Sequence, residues 1–225
     1  MNLIEIKPGF SVEGDEIPSL KTEAKSSSYI YLLGGTHGDE VEGVYVLQQF
    51  LDWLKNDEDI KLPLVIIPIL NVDGYRMGSR VNAHGVDLNR NYATNNWDST
   101  FKEEKYNPGP APLSEPENIY LESLFKKYPP KLIISFHSWK PILNYNGDCR
   151  ELAEFLSKYN SYPVADDIGY PTPGSLGTYA PEKYSAPVIT YECPLLENGL
   201  SLKEIWQQNE LGLKKLFQSK LIQEL

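Results

Sequence analysis

Ser28-Tyr-Ile-Tyr-Leu-Leu-Gly34 is a short apolar run that predicts a strand buried on both faces of a sheet. Val41–Lys55 follows it and predicts a helix, because apolar side chains recur there at helical spacing. Leu64–Leu70 is a second apolar run and predicts the next strand, although it contains Pro68. Strands that are separated by helices indicate an α/β fold with a mostly parallel or mixed sheet.

The alternation of helical and strand-like patterns continues toward the C-terminus. Further helices are predicted at Ser114–Lys127, Arg150–Lys158 and Leu200–Leu216, and further strands at Lys131–Phe136 and Val188–Glu192. We therefore expect a single α/β domain over residues 1–225, with a mixed, mostly parallel, twisted sheet flanked by helices. Residues 28–220 are expected to form its core, and residues 1–27 an N-terminal extension packed on that core.

The chain is acidic, with a formal net charge of -10 over 225 residues. This charge argues against a general nucleic-acid-binding protein, because contacts to phosphates need clustered lysine and arginine. It does not argue against an anionic substrate, since a few arginines can act locally against the global sign. With 41% hydrophobic and 23% charged residues, the composition is typical of a globular domain with a sizeable core.

The sequence predicts a cytoplasmic protein without a membrane anchor. Met1–Phe10 is charged and lacks the apolar segment of a signal peptide. The longest aliphatic stretch, Leu62–Leu70, is far shorter than the roughly 20 residues of a membrane span. The two cysteines, Cys149 and Cys193, do not make a disulfide framework and are expected to be reduced thiols.

Chemically versatile residues stand at the ends of the predicted strands. His37 follows the first strand, Asn71 the second and His137 the third, and Glu192 closes the fourth. Ligand sites of such sheets lie beyond the carboxyl ends of the strands, so we expect these side chains to meet. The long polar segment Val72–Pro112 is rich in Asn, Gly and Pro, and a loop of this length inside a domain is usually functional.

Two of the histidines and a glutamate form a candidate metal site. His37 and Glu40 are three residues apart in Gly34-Gly-Thr-His-Gly-Asp-Glu40, so both can face one cation. Two histidines and one glutamate, with a fourth position left for water, are the ligand set expected of hydrolytic zinc. We therefore predict one zinc ion per chain on His37, Glu40 and His137, although these ligands also suit cobalt or nickel.

Zinc hydrolysis also needs a base, and Glu192 ends an apolar strand, where an unpaired carboxylate is costly. Glu192 is either that base or a glutamate held in a salt bridge. Arg80 is suited to stabilise an oxyanion, whereas Arg90, with its planar fork, and Asn89 are suited to bind a carboxylate. The alternative for each arginine is a solvated position on the surface of the loop.

These motifs resemble the carboxypeptidase A-like zinc metallopeptidase family over about Tyr31–Pro194. The matching elements are His37-x-x-Glu40, the run Gly85-Val-Asp-Leu-Asn-Arg-Asn91, and the two strands that end at His137 and Glu192. The resemblance implies a zinc carboxypeptidase-like fold and a zinc-dependent hydrolase acting on a small peptide with a free terminal carboxylate.

The resemblance also implies a role for each candidate residue: zinc ligands His37, Glu40 and His137, catalytic glutamate Glu192, carbonyl-polarising Arg80, and the carboxylate clamp Asn89 and Arg90. The family further places a mobile tyrosine before its catalytic glutamate. Tyr179 and Tyr184 both lie in that segment, and Tyr179 is the better match for a substrate-binding residue, with a purely structural tyrosine as the alternative. His84 is expected to be a loop or pocket-wall residue rather than a ligand.

Finer motifs resemble the murein peptide amidases, a branch of this family. They are Asn71-x-Asp-Gly74, Arg80-x-Asn-Ala-x-Gly85 and Gly169-Tyr-x-Thr-Pro-Gly-Ser-x-Gly177. This resemblance implies hydrolysis of the amide bond between γ-D-glutamate and a terminal diaminopimelate, in cell-wall peptides that are recycled in the cytoplasm.

Other functions fit parts of the pattern. N-acyl amino acid deacylases, such as aspartoacylases and succinylglutamate desuccinylases, share the His-Gly-x-Glu and Asp-Leu-Asn-Arg elements, but the stretch 169–177 favours the amidases. An ordinary metallocarboxypeptidase would prefer α-linked L-peptides. A non-catalytic zinc- or peptide-binding domain is the alternative outside the enzymes. A homodimer also stays open, although no exposed apolar stripe in the sequence requires one.

Overall fold

A central eight-stranded sheet organises the computed structural model, which describes residues 1–23 and 25–225. The strands are β1 (Leu3–Glu5), β2 (Gly9–Phe10), β3 (Glu16–Ile17), β4 (Leu20–Thr22), β5 (Tyr29–Leu33), β6 (Leu64–Ile67), β7 (Pro130–Trp139), β8 (Ile142–Asn146), β9 (Val164–Ala165) and β10 (Val188–Pro194). The helices are α1 (Val41–Asn56), α2 (Val72–Met77), α3 (Pro116–Lys127), α4 (Arg150–Asn160), α5 (Leu176–Tyr184), α6 (Leu202–Gln218) and α7 (Lys220–Gln223). Short 3₁₀ turns cover Leu88–Arg90, Glu104–Tyr106 and Leu196–Asn198.

The strand order in the main sheet is β1-β4-β6-β5-β7-β10-β8-β9. The central strands β6, β5, β7 and β10 run parallel, whereas β1 pairs with β4, β4 with β6 and β8 with β10 in antiparallel fashion. Strands β2 and β3 form a separate ribbon. The predicted α/β domain, with a mixed, mostly parallel sheet flanked by helices, is confirmed.

Strand β5 shows why the central apolar run is continuous. Ile30 and Leu32 belong to one buried cluster with residues of α1, α4 and α6, whereas Tyr31 and Leu33 belong to a second cluster with residues of α3 and α5. Successive side chains of a strand point to opposite faces, so a strand that is covered on both faces has to be apolar throughout. None of the helices in the described part of the chain has the length and apolar character that a membrane span requires.

All helices and strands predicted from periodic runs are present, with shifted ends. The run that begins at Leu64 stops being a strand at Ile67, directly before Pro68, which has no N–H to donate to a ladder. Strands β7 and β10 extend further than predicted because they stay paired, with Glu192 opposite His137. His137 and Glu192 therefore lie within paired strands, not at strand ends.

Two glycines let α1 approach the carboxyl end of the sheet. Gly35 follows β5 with a φ of +59°, where an added Cβ would stand 2.9 Å from Ile69. Gly43 lies in the first turn of α1, and an added Cβ there would stand 2.9 Å from the backbone of His137. This close approach brings the residues that precede α1 against strand β7.

Candidate metal centre and active-site cleft

His37, Glu40 and His137 meet at the carboxyl end of the sheet. All three are buried, and one ligand atom from each lies within 4.8 Å of the others. The two histidine Nδ1 atoms are 3.2 Å apart, and the Glu40 carboxylate lies 2.7 Å from Nδ1 of His37 and 2.8 Å from Nδ1 of His137. Donors at zinc-ligand distance from one tetrahedral ion are about 3.3 Å apart, which the separation of the two Nδ1 atoms matches. The two shorter distances to Glu40 are hydrogen bonds, and the three side chains together form a ligand set that fits zinc.

The remaining atoms of the three ligands are held by hydrogen bonds. The His37 Nε2 atom lies 3.0 Å from Oδ1 of Asp87, and the His137 Nε2 atom lies 3.0 Å from Oγ of Ser135. The backbone N–H of Ser138 donates to Oε2 of Glu40 at 3.1 Å. Partners of this kind fix the ring orientation and leave Nδ1 as the ligand atom, which again fits a metal site.

Asp87 also belongs to the site, although its sequence position alone indicates no role for it. Besides His37, it accepts hydrogen bonds from Arg80 Nε at 3.2 Å, Arg80 Nη2 at 3.0 Å and the backbone N–H of Asn89 at 2.9 Å. Burial alone would raise the pKa of this carboxyl, but His37 and Arg80 hold it well below its usual range. Its only sequence signal was its position in the motif Gly85–Asn91.

Glu192 faces the cluster of His37, Glu40 and His137 from strand β10. It is 6% exposed, and its Oε2 atom is buried without a hydrogen-bond partner among the described residues. Burial raises the pKa of Glu192 to about 7, with His137 and Arg80 lowering it and Glu40 raising it. A carboxyl group with a pKa near neutrality and a free oxygen is suited to act as a general base.

Arg80 borders the candidate metal site. In addition to its bonds to Asp87, its Nη1 donates to Oε1 of Glu40 at 3.3 Å. Its guanidinium carbon lies 5.4 Å from the centroid of the Tyr106 ring, a cation–π distance. These contacts fix a cation beside the candidate metal site, a position suited to stabilising negative charge on a carbonyl oxygen.

Arg90 and Asn89 lie next to each other in the same cleft. Arg90 is 5% exposed, forms no salt bridge with any described residue, and donates through Nη1 to the backbone oxygen of Asn89 at 2.7 Å. Asn89 accepts a hydrogen bond from the backbone N–H of Leu176 through Oδ1 at 2.9 Å, which leaves its Nδ2 as a donor. A buried guanidinium fork and an amide donor can together bind a carboxylate.

One cleft of about 580 Å³ brings these residues together. Its walls include all but one of the predicted site residues: His37, Glu40, Arg80, Asn89, Arg90, His137 and Glu192. The exception is Tyr179, which is 2% exposed in the core and donates its hydroxyl to Glu122 at 2.7 Å. This position does not support the predicted substrate-binding role, because α5 turns the ring of Tyr179 away from the cleft and onto Tyr92.

Tyr184 makes the same kind of contact, since its hydroxyl also donates to Glu122 at 2.7 Å. The tyrosine that does line the cleft is Tyr170, which is 39% exposed and packs edge-on against Trp139. Burial raises the pKa of Tyr170, and the positive charge of Arg90, which lines the same cleft, opposes that shift. The sequence signal for Tyr170 was its position in the motif Gly169–Gly177.

The remaining candidates lie outside the cleft. His84 has its Nδ1 atom 2.8 Å from Oε2 of Glu115, and it belongs to no group of potential metal ligands in residues 1–23 and 25–225. Cys149 and Cys193 are both buried free thiols, as predicted.

Residues 1–214 match the zinc carboxypeptidase family of M14 peptidases, and the chain belongs to that family. Murein peptide amidase A from Vibrio campbellii is 32% identical over 213 residues, which cover 87% of this chain and 82% of that protein. Murein peptide amidase A from Escherichia coli K12 is 32% identical over 199 residues, which cover 83% of this chain and 79% of that protein. The predicted enzyme class, a metallo-hydrolase, is confirmed.

Solved structures show the same fold. The murein-tripeptide amidase MpaA from Escherichia coli O157 superposes with a TM-score of 0.78 at 27% identity, covering 97% of this chain and 92% of its own. Carboxypeptidase A from Helicoverpa armigera superposes with a TM-score of 0.80 at 18% identity, covering 96% of this chain and 67% of its own. The second similarity concerns the fold alone.

Proposed function

We propose that this chain is a zinc-dependent amidase that releases a terminal diaminopimelate from γ-D-glutamate in murein peptides. The proposal is supported chiefly by the position of Arg90. This buried guanidinium has no acidic partner in the described chain and lies in one cleft with the metal ligands and Glu192. A buried cation is stable only when an anion compensates it. A substrate whose terminal residue keeps a free carboxylate supplies that anion.

Each residue around the metal site has a separate role in the proposed reaction. His37, Glu40 and His137 would hold the zinc ion, which when bound supplies Lewis acidity that lowers the pKa of water and polarises a carbonyl. Glu192 accepts the proton of the attacking water on its free carboxylate oxygen and returns it to the leaving amine. Arg80 stabilises the negative charge that develops on the carbonyl oxygen.

The carboxylate clamp selects which bond is cut. Arg90 and the Nδ2 donor of Asn89 bind the free carboxylate of the terminal residue, so that the adjacent amide lies at the metal centre. Tyr170 borders the same space and can donate its phenol O–H to the bound peptide. Cleavage is therefore expected next to a terminal residue and not within a chain.

The names of the relatives support the choice of substrate. Both quoted murein peptide amidases are 32% identical to this chain over most of its length. Both relatives are amidases of murein peptides, which contain γ-linked D-glutamate. On this basis we assign the acyl side of the bond to γ-D-glutamate and the amine side to diaminopimelate.

The proposal is tested by incubating the purified protein with L-Ala-γ-D-Glu-meso-diaminopimelate and measuring free diaminopimelate by mass spectrometry. We expect stoichiometric zinc, release that stops with a chelator, and recovery when zinc is added back. Glu192→Gln is the matched control, because it retains the three metal ligands. If the protein prefers N-acyl amino acids or α-linked peptides to this tripeptide, its substrate belongs to one of the alternative classes. Absence of bound metal would refute the proposal.

A further inference from the structure

Tyr106 lies in the wall of the cleft, and three cations surround its ring. It ends the 3₁₀ turn Glu104–Tyr106. The ring centroid is 5.4 Å from the guanidinium carbon of Arg80, 5.6 Å from that of Arg90 and 5.0 Å from Nζ of Lys105. All three distances are within the roughly 6 Å over which the negative face of an aromatic ring attracts a cation.

The backbone beside Tyr106 is tied to the motif that holds the metal end together. The backbone oxygen of Asn107 accepts a hydrogen bond from the backbone N–H of Asp87 at 2.8 Å, and Nδ2 of Asn107 donates to the backbone oxygen of Gly85 at 3.0 Å. Asp87 in turn accepts two hydrogen bonds from Arg80. The position of the Tyr106 ring is therefore linked to that of the metal end before a substrate binds.

The two arginines depend on this ring to different degrees. Arg80 is also held by two carboxylates, so it keeps its place without the ring. Arg90 is 5% exposed, and its guanidinium makes one hydrogen bond, to the backbone oxygen of Asn89, and no salt bridge within the described part of the chain. A buried cation needs electrostatic compensation, and the face of Tyr106 supplies a part that no salt bridge provides.

A second cavity gives Arg90 space to move away from the cleft. This cavity has a volume of about 510 Å³, and Arg90, Tyr106 and Tyr170 line both it and the cleft. Phe101 and Lys102 are among the residues of its other walls. A long side chain with space on two sides populates several rotamers unless a neighbour restricts it.

We infer that Tyr106 is a positioning residue, whose ring holds the guanidinium of Arg90 in the cleft and aligns the carboxylate clamp with Arg80. The inference rests on the proposed function, in which Arg90 binds the terminal carboxylate of the substrate. A guanidinium that is already in place loses less conformational freedom when the substrate binds. Tyr106 should therefore affect substrate binding more than the chemical step.

The inference is tested with two rings of nearly the same shape. Tyr106→Phe keeps the negative face of the ring, whereas the fluorines of Tyr106→pentafluorophenylalanine withdraw electron density from it. Relative to Tyr106→Phe, we expect the fluorinated variant to raise KM for L-Ala-γ-D-Glu-meso-diaminopimelate by about 3- to 30-fold and to change kcat by less than about 3-fold. The same pair of substitutions at Tyr159, an exposed tyrosine of α4, is the matched control and should leave both parameters unchanged.

A double-mutant cycle shows whether the ring acts through Arg90. In protein that also carries Arg90→Ala, fluorination at position 106 should raise KM by less than about 2-fold, because the cation that it would weaken is absent. An equal rise in both backgrounds would mean that Tyr106 acts independently of Arg90, which overturns the inference and leaves the proposed function standing. Melting temperatures of all variants check that each is folded.

A binding measurement separates the inference from the proposed function if the wild type releases no diaminopimelate. Free meso-diaminopimelate is then titrated calorimetrically into zinc-loaded Glu192→Gln protein that carries either ring at position 106. A Kd that is about 3- to 30-fold higher with the fluorinated ring supports the positioning role although the proposed reaction fails. Equal Kd values overturn the positioning role, and absence of binding refutes both proposals.

Discussion

The two ends of the cleft differ in how their polar atoms are satisfied. At the metal end, His37 bonds to Asp87, His137 to Ser135, and Arg80 to Asp87. These bonds fix the orientation of each group before any ligand arrives. A reaction centre gains from such preorganisation, because no group has to reorient as charge develops.

At the clamp end, which Asn89 and Arg90 form, the polar side chains keep donors without acidic partners. Arg90 is 5% exposed and forms no salt bridge with any described residue, and the Nδ2 donor of Asn89 has no partner among those residues either. Leaving a buried polar group without a partner costs roughly 1–3 kcal/mol, a cost that a matching ligand removes. The metal end is therefore suited to the chemical step, and the clamp end is suited to binding the substrate.

Glu192→Gln gives the largest expected effect, because it removes the base at the metal end while leaving its geometry in place. We expect kcat to fall by a factor on the order of 10²–10⁴, with zinc content unchanged. The measurement is single-turnover release of diaminopimelate together with metal analysis. A variant within about tenfold of the wild type would show that another group takes the proton.

Arg90→Ala tests whether the clamp end of the cleft binds the terminal carboxylate of the substrate. We expect KM to rise by about 10- to 100-fold with a smaller change in kcat, since a charge-assisted bond to the terminal carboxylate is lost. Arg90→Lys is the control, and it should recover only part of the loss because lysine lacks the planar fork. Amidation of the substrate's terminal carboxylate should raise KM for the wild type and leave KM for the Arg90→Ala variant almost unchanged. If Arg90→Ala raises KM equally for the free and the amidated substrate, Arg90 does not bind the terminal carboxylate.

Asp87→Asn sharpens the claim that the metal end is preorganised. Asp87 holds the outer nitrogen of His37, and loss of such a partner typically lowers metal affinity by about 10- to 100-fold. Competition with a chelator measures this affinity directly. Asp52→Asn, an exposed change on α1, is the control. Unchanged affinity would mean that the ligand geometry does not depend on Asp87.

The pH dependence of the metal-free protein tests the environment of Glu192. Its pKa is raised from 4.5 to about 7 on folding, so the folded state binds more protons than the unfolded state in that range and stability falls as pH rises. Glu192→Gln lacks this penalty. The variant should therefore gain stability over the wild type from about pH 4.5, reaching about 1–3 kcal/mol above pH 7. Denaturant unfolding at pH 4.5 and 8 measures the difference, and a constant difference would argue against the raised pKa.

The sequence predicted the parts of the fold and site that depend on strong local patterns. Long apolar runs such as the one at β5 located the central strands, and these strands locate His37 and His137. Strand β8 was missed because Asn144 and Asn146 make it half polar, which reads as a loop when its pairing with β10 is unknown. The partner of His37 was missed for a related reason: Asp87 is 50 residues away, and only tertiary structure brings the two together.

The role of the tyrosines also depends on tertiary structure that the sequence does not reveal. Substitution of Tyr170 gives the smallest predicted effect. Tyr179 and Tyr170 are nine residues apart by number, and sequence position alone favoured Tyr179, yet helix α5 buries Tyr179 and leaves Tyr170 in the cleft. Tyr170→Phe should lower kcat/KM by roughly 2- to 10-fold, the value of one hydrogen bond. Tyr179→Phe should change kcat/KM by less than about 2-fold and lower the free energy of unfolding by about 1–2 kcal/mol, because its bond to Glu122 is lost. The reverse pattern, with a kinetic loss in Tyr179→Phe at unchanged stability, would restore the role that the sequence favoured.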